Sequence, residues 1–260
     1  KCFNNKYVII WLTICSFFFY YYWNPIYTLL LLFSCGFNYS VYLFAQTVSK
    51  NKLLHKYTLY VGVLVNLLIL IYYKYWLFIL SIFTDYTFNP ENVFIPLAIS
   101  FFTFQQISFL MEFTKEDKKT NSMFDYLLYI SFFPQLIAGP IMRPSETLVQ
   151  IKSSSFKNQI NKKNLTIGIS IFIIGLFKKV VIADNLAIYP DQIYDLVSMG
   201  EEINFLQAWS AAVIYMLQLY YDFSGYCEMG IGIARMFGIN LPINFNSPLK
   251  AKSFAGFWRT

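Results

Sequence analysis

An all-α, polytopic membrane protein is the fold class this sequence predicts, and three observations predict it. Apolar runs of about 20 residues, the length that spans a bilayer, recur along the chain. Hydrophobic residues fill 57% of the 260 positions and charged residues only 13%, too little charge to clothe a water-soluble surface. That charge gathers largely in the short stretches between the runs. A soluble chain of this length could bury one large core, but not repeated bilayer-length runs as well.

The apolar segments fall at about 7–23, 26–48, 57–82, 93–111, 126–142, 165–183 and 203–221. Lys1 and Lys6 followed by Tyr7 to Trp23 imitate a signal peptide, but no small-residue cleavage site follows, so the segment reads as a retained first span. Lys50, Lys52 and Lys56 make the loop after the second segment basic, whereas Asp85 and Glu91 make the next one acidic. The positive-inside rule puts the basic loop in the cytoplasm and, two spans earlier, the N-terminus with it.

The stretch 143–164 carries Arg143, Lys152, Lys157, Lys162 and Lys163 against Glu146, so it too is predicted to be a cytoplasmic loop. The stretch 112–125 also contains lysines. With both inside, the segment 126–142 is predicted to dip into the membrane and return as a re-entrant hairpin. Pro134, Gly139 and Pro140 suit this, because broken backbone persists at membrane depth only where protein or a water-filled cavity satisfies it. Asp184, Asp191, Asp195, Glu201 and Glu202, with no lysine or arginine among them, make 184–202 an outside loop. The result is about six spans plus re-entrant segments in a single membrane domain, 1–260. Lys178 and Lys179 sit near the outer end of a span against this pattern, either snorkelling outward or facing a cavity and pairing with Asp184.

Polar groups at membrane depth cost a few kcal/mol each, and this chain places Lys74, Gln105, Gln106, Gln135, Gln218, Asp222, Glu228 and Arg235 there. Any one of them is explained by hydrogen bonding between helices. As a set they point to a cavity. If 222–238 is helical, Glu228, Gly232 and Arg235 share a face, with Glu228 and Arg235 about 10 Å apart and too far for direct pairing. Gly225, Gly230 and Gly232 have two readings: close helix approach, or backbone open to a substrate.

Several function classes drop out. The net charge of +6 is dispersed instead of forming the basic face that binding nucleic acid requires. Cys2, Cys15, Cys35 and Cys227 form no CxxC pair and read as small buried hydrophobes, so no metal site or disulfide framework is expected. His55, the sole histidine, reads as a solvated loop residue. There is no GxSxG elbow, P-loop or HExxH motif.

Four stretches resemble the membrane-bound O-acyltransferase (MBOAT) family, in its bacterial branch of alginate O-acetylation and D-alanyl transfer proteins. They are Ile99–Phe113 (ISFFTFQQISFLMEF), Asp125–Ile151 (DYLLYISFFPQLIAGPIMRPSETLVQI), Gly175–Ala187 (GLFKKVVIADNLA) and Leu219–Arg259 (LYYDFSGYCEMGIGIARMFGINLPINFNSPLKAKSFAGFWR). The likeness runs from about Phe94 to the end. It implies the N-terminal part of a helical funnel in the bacterial inner, cytoplasmic membrane. In such a funnel a cytoplasmic thioester, acetyl-CoA or an acylated carrier protein, donates an acyl group, acetyl above all, to hydroxyls of an exported polysaccharide or cell-wall polymer. A periplasmic or extracellular acyl-transfer partner commonly receives it first. No resident cofactor is implied.

The family's catalytic histidines follow an FWRR–WHIS pattern. By the resemblance they would lie beyond Thr260, so no catalytic residue is assigned within 1–260 and the isolated chain is expected to be inactive. By motif position, the residues expected to line or position the substrate channel are Gln135, Pro140, Arg143, Asp222, Ser224, Tyr226, Arg235, Asn244, Asn246 and Trp258. A purely structural role, holding broken helices together, suits each equally. Cys227-Glu228 stands where the family more often has Ser-Asp, and Ser247-Pro248-Leu249 where Tyr-Pro-Tyr is usual. Two other classes stay open: a transporter, which would need paired broken helices in two related halves, and a catalytically dead membrane scaffold.

Overall fold

A chain surrounded by hydrocarbon must satisfy its own backbone, and helices do this within one segment. The structure, a computed structural model, describes residues 5–84, 94–113, 122–137, 139–140, 142–152 and 161–257, and the regular structure among them is helical throughout. Asp85, Glu91, Lys157, Trp258 and the lysines of 114–121 fall outside the described residues. The elements are α1 (Asn5–Trp23), α2 (Pro25–Thr47), α3 (Lys52–Leu70), a π turn (Ile71–Tyr75), α4 (Trp76–Phe83), α5 (Ile99–Phe113), α6 (Met123–Ser131), α7 (Phe133–Leu136) and α8 (Pro144–Lys152). There follow α9 (Lys162–Leu176), a second π turn (Phe177–Ala183), α10 (Asp184–Ser198), α11 (Phe205–Met236), a 3₁₀ turn (Pro248–Lys250) and α12 (Phe254–Phe257). Among the described residues, three continuous helices are long and apolar enough to cross a membrane: Pro25–Thr47, Lys52–Phe83 and Lys162–Ser198.

Four of the longer helices begin on asparagine. Asn24, Asn51, Asn161 and Asn204 each turn a side-chain oxygen onto the first free backbone N–H groups, the orphan donors that every helix start leaves. Asn204 and Gln207 complete a capping box. At the far end of α11, Gly238 (φ 80°) donates to Arg235 O and Ile239 donates to Ala234 O, the pair of bonds that closes a helix through a left-handed glycine.

The chain forms two compact units, Lys1–Ile137 with Ile141–Phe156, and Ala138–Pro140 with Lys157–Thr260. In the first, α1 packs on α2, α6 and α7, α2 and α3 pack on α5, and α8 returns onto α5 and α6. The core is aromatic, with Tyr20, Tyr42, Phe102, Phe109, Tyr126 and Tyr129 fully buried. A polar lock joins α2, α3 and α5: Ser34 and Asn38 both donate to Gln106 Oε1, at 2.7 and 2.6 Å, and Asn38 and Asn66 exchange amide bonds. Gln106 at membrane depth is therefore explained by interhelical hydrogen bonding. Lys74 likewise donates to Ser100 Oγ at 3.2 Å from the first π turn.

The 126–142 segment is broken as its prolines require. α6 is about 13 Å long, less than half a hydrocarbon core. After a non-helical Phe132 comes the single turn of α7, and Tyr129 reaches across the fold-back to donate to Met142 O at 3.2 Å.

Three expectations are corrected. Stretch 143–164 is not all loop: Pro144 starts α8, with Glu146 in its first turn and Lys152 in its last, as the helix dipole favours. Stretch 184–202 is not an open loop, because α10 continues the preceding helix to Ser198 and carries Pro190 inside it. Its apolar residues recur at helical spacing, and the acids that mimicked a loop occupy the other positions. His55 is not a solvated loop residue: it lies in the first turn of α3, half-buried, with Nδ1 3.0 Å from Ala45 O.

Candidate functional site: a charged clasp between helices

Within the second unit, α9 and α11 run antiparallel and touch backbone to backbone. Gly168 faces Gly232 and Gly175 faces Gly225, and a β-carbon on any of the four would lie 2.6–2.8 Å from the opposite glycine's carbonyl oxygen. The two glycines on each helix are seven residues apart, so two full turns bring the same face back to the contact. Close approach is the reading that the structure gives Gly225 and Gly232, and Gly230 is buried nearby.

The second π turn begins two residues after Gly175, and its wider winding sets Lys178 and Lys179 astride Gly225. A β-carbon on Gly225 would meet Lys179 N at 3.0 Å and Lys178 Cβ at 3.1 Å. From there Lys178 pairs with Glu228 on one side, while Lys179 reaches Asp222 at 2.6 Å on the other and Asp184 at 2.7 Å on its own helix. Two lysines thus meet three carboxylates. A single charge at the centre of a spanning helix costs about 2.5–3.5 kcal/mol on insertion scales, and here each cation meets at least one anion. The pairs remain one-quarter to one-half exposed, so water reaches them and their net contribution is modest.

Lys179–Asp184 is the pairing that the sequence offered as one reading. The partners on α11 were not legible, because they depend on which residues flank the glycine crossing. Glu228 and Arg235 do not pair: α11 is helical throughout 222–236, and Arg235 donates instead to Asn240 Oδ1.

The candidate channel residues are distributed as follows. Gln135 sits in α7, 2% exposed, with neither amide atom bonded. Pro140 is buried, and Arg143 is exposed where its carbonyl opens α8. Gln135 and Arg143 belong to the first unit and Pro140 to the second. Asp222, Ser224, Tyr226 and Arg235 all lie on α11, and Asp222 joins the clasp. Asn244, though exposed, donates to Cys227 Sγ at 3.2 Å, and Phe245 stacks edge-on against Tyr220 and Phe223. The chain after α11 therefore folds back along it. Asn246 is exposed and carries no bond that assigns it a role. Trp258 lies outside the described residues. Among the described residues no group of three potential metal ligands exists.

Sequence reasoning missed Lys178 as an ion-pair partner of Glu228, and it missed Asn38 and Asn66, polar residues inside apolar runs as conspicuous as Gln106. The shared seven-residue glycine spacing in two segments, 168/175 and 225/232, was the available signal for the helix crossing.

Apolar helices of spanning length, joined inside by polar locks and a charged clasp, define an integral membrane protein. The chain belongs to the membrane-bound O-acyltransferase family, whose model matches residues 1–260. That match extends N-terminally past the stretch in which the motifs were recognised. A peptidoglycan O-acetyltransferase of Helicobacter pylori is 41% identical, over 98% of this chain and 53% of its own length. A probable alginate O-acetylase of Pseudomonas aeruginosa is 32% identical, over 98% of this chain and 49% of its own. A teichoic acid D-alanyltransferase of Bacillus subtilis is 29% identical, over 65% of this chain and 42% of its own. The chain spans about half the length of the curated relatives it matches.

Proposed function

We propose that residues 1–260 belong to a membrane acyltransferase that moves an acyl group, acetyl in the first instance, from a cytoplasmic thioester to hydroxyls of an exported polysaccharide or wall polymer. The observation that carries this reading is the 41% identity to a peptidoglycan O-acetyltransferase across 98% of the chain. Acetyl-CoA or an acylated carrier protein is the proposed donor, and an extracytoplasmic partner protein is the proposed relay to the polymer. The protein is placed in the cytoplasmic membrane with its N-terminus inside, on the support of the basic 50–56 stretch. Gln135, Pro140, Arg143, Asp222, Ser224, Tyr226, Arg235, Asn244, Asn246 and Trp258 are proposed to line or position the path.

The test is disruption of the gene in its own host, followed by measurement of base-labile acetate on each purified envelope polymer. Loss of ester from one glycan, restored by the intact gene, identifies the acceptor. Unchanged ester on every polymer would sink the reading and leave a membrane scaffold.

A further inference from the structure

Hydroxyls on this protein's helices usually bond back to the preceding turn. Thr13, Ser40, Thr58, Ser131, Thr166, Ser170 and Ser210 each donate to the carbonyl four residues earlier, which is the default for such residues in a membrane helix. Ser224 departs from this. It is only 2% exposed, yet its Oγ has no hydrogen-bond partner. One turn further along α11, Glu228 accepts from Lys178 at Oε1, while its Oε2 is buried and unbonded.

Residues four apart stand on one helix face with β-carbons about 5–6 Å apart. Ser224 and Glu228 are therefore neighbours, yet they do not bond to each other. Leaving a buried hydroxyl or carboxylate oxygen empty costs about 1–3 kcal/mol or more each. A group that accepts from Ser224 and donates to Glu228 would satisfy both. A hydroxyl does this with one oxygen, its lone pair facing Ser224 Oγ–H and its proton facing Oε2.

We propose that Ser224 Oγ and Glu228 Oε2 form a subsite for one hydroxyl group, supplied by water or by a polyol, with Lys178 holding the carboxylate in place from its other oxygen. The subsite stands on α11 and the π turn alone. Only its polyol form rests on the acceptor reading above, so that reading can fail while the water form survives.

The experiment uses the 260-residue chain in lipid nanodiscs. A small, charged methanethiosulfonate reagent that does not partition into lipid is applied to Ser224→Cys and, as a dry reference, to Ala234→Cys, a fully buried position on the same helix. Modification at each site is quantified by peptide mass spectrometry. A hydrated subsite gives a rate at position 224 about tenfold or more above that at 234, since charged reagents follow water and not packed hydrocarbon. A parallel measurement on the unsubstituted chain, labelling Glu228 with a water-soluble carbodiimide and an amine, removes any dependence on how Ser224→Cys folds. Label at both sites that a methyl glycoside of a sugar suppresses means the hydroxyl comes from a polyol. Label that the glycoside leaves untouched means that water supplies it. If position 224 reacts no faster than 234, or if Glu228 stays unlabelled, the face is dry packing and the subsite is refuted.

Discussion

Lys178 and Glu228 show how a residue's value depends on where it is held. Each is about three-quarters buried in helices where a lone charge is costly, so removing one partner leaves the other without compensation. Lys178→Met is expected to lower thermal stability in detergent by about 1–3 kcal/mol, less than a fully buried pair would lose because water still reaches the site. The double exchange Lys178→Glu with Glu228→Lys should recover part of that loss. Equal losses for the single and double variants would show that the pair contributes nothing specific. The sequence announced that polar groups would gather at depth, and Gln106, Lys74, Asp222 and Glu228 all found partners. It did not announce which partners, because pairing across helices depends on their rotation and height, and neither is a local property.

At the scale of elements, the glycines divide sharply by what surrounds them. Gly225 has no room for a β-carbon, which would lie 2.8 Å from Gly175 O. Gly225→Ala must therefore push α9 and α11 apart, and about 1–3 kcal/mol of stability should be lost, as overpacking a tight contact does. Gly36, inside α2, meets nothing within 4 Å of an added β-carbon, so Gly36→Ala should raise stability by about 0.5–1 kcal/mol through helix propensity alone. Thermal unfolding of both variants checks the contrast, and similar shifts of one sign would refute it. Helix positions were largely legible, since apolar runs and asparagine caps are local signals. The misread elements were α8 and α10, where charge was taken for loop although both segments keep an apolar face. The break at 131–137 was legible because Pro134 and its neighbours forbid a continuous helix.

For the whole molecule, composition betrays the membrane class and motifs betray the family, while the division into two compact units left no mark in either. Base chemistry near neutral pH falls naturally to histidine, and residues 1–260 hold only His55, whose Nδ1 is engaged with Ala45 O inside the first unit. A purified polypeptide of these residues is accordingly expected to transfer no acyl group from acetyl-CoA to a soluble glycan above background. Measured turnover would show that a group other than histidine serves as base.

The second π turn has a consequence for how this helix tolerates length change. A π turn is an α-helix holding surplus residue in one winding, so the stretch Phe177–Ala183 acts as a slack loop in an otherwise taut rope. Loss of one residue there can be absorbed by tightening the winding, whereas the same loss within α9 would rotate everything on one side of it by about 100°. Tightening would nonetheless swing the two lysines off Gly225. The slack is thus what lets one helix serve two alignments at once, glycines facing inward along α9 and cations reaching around the crossing, which a uniform 3.6-residue winding would set against each other.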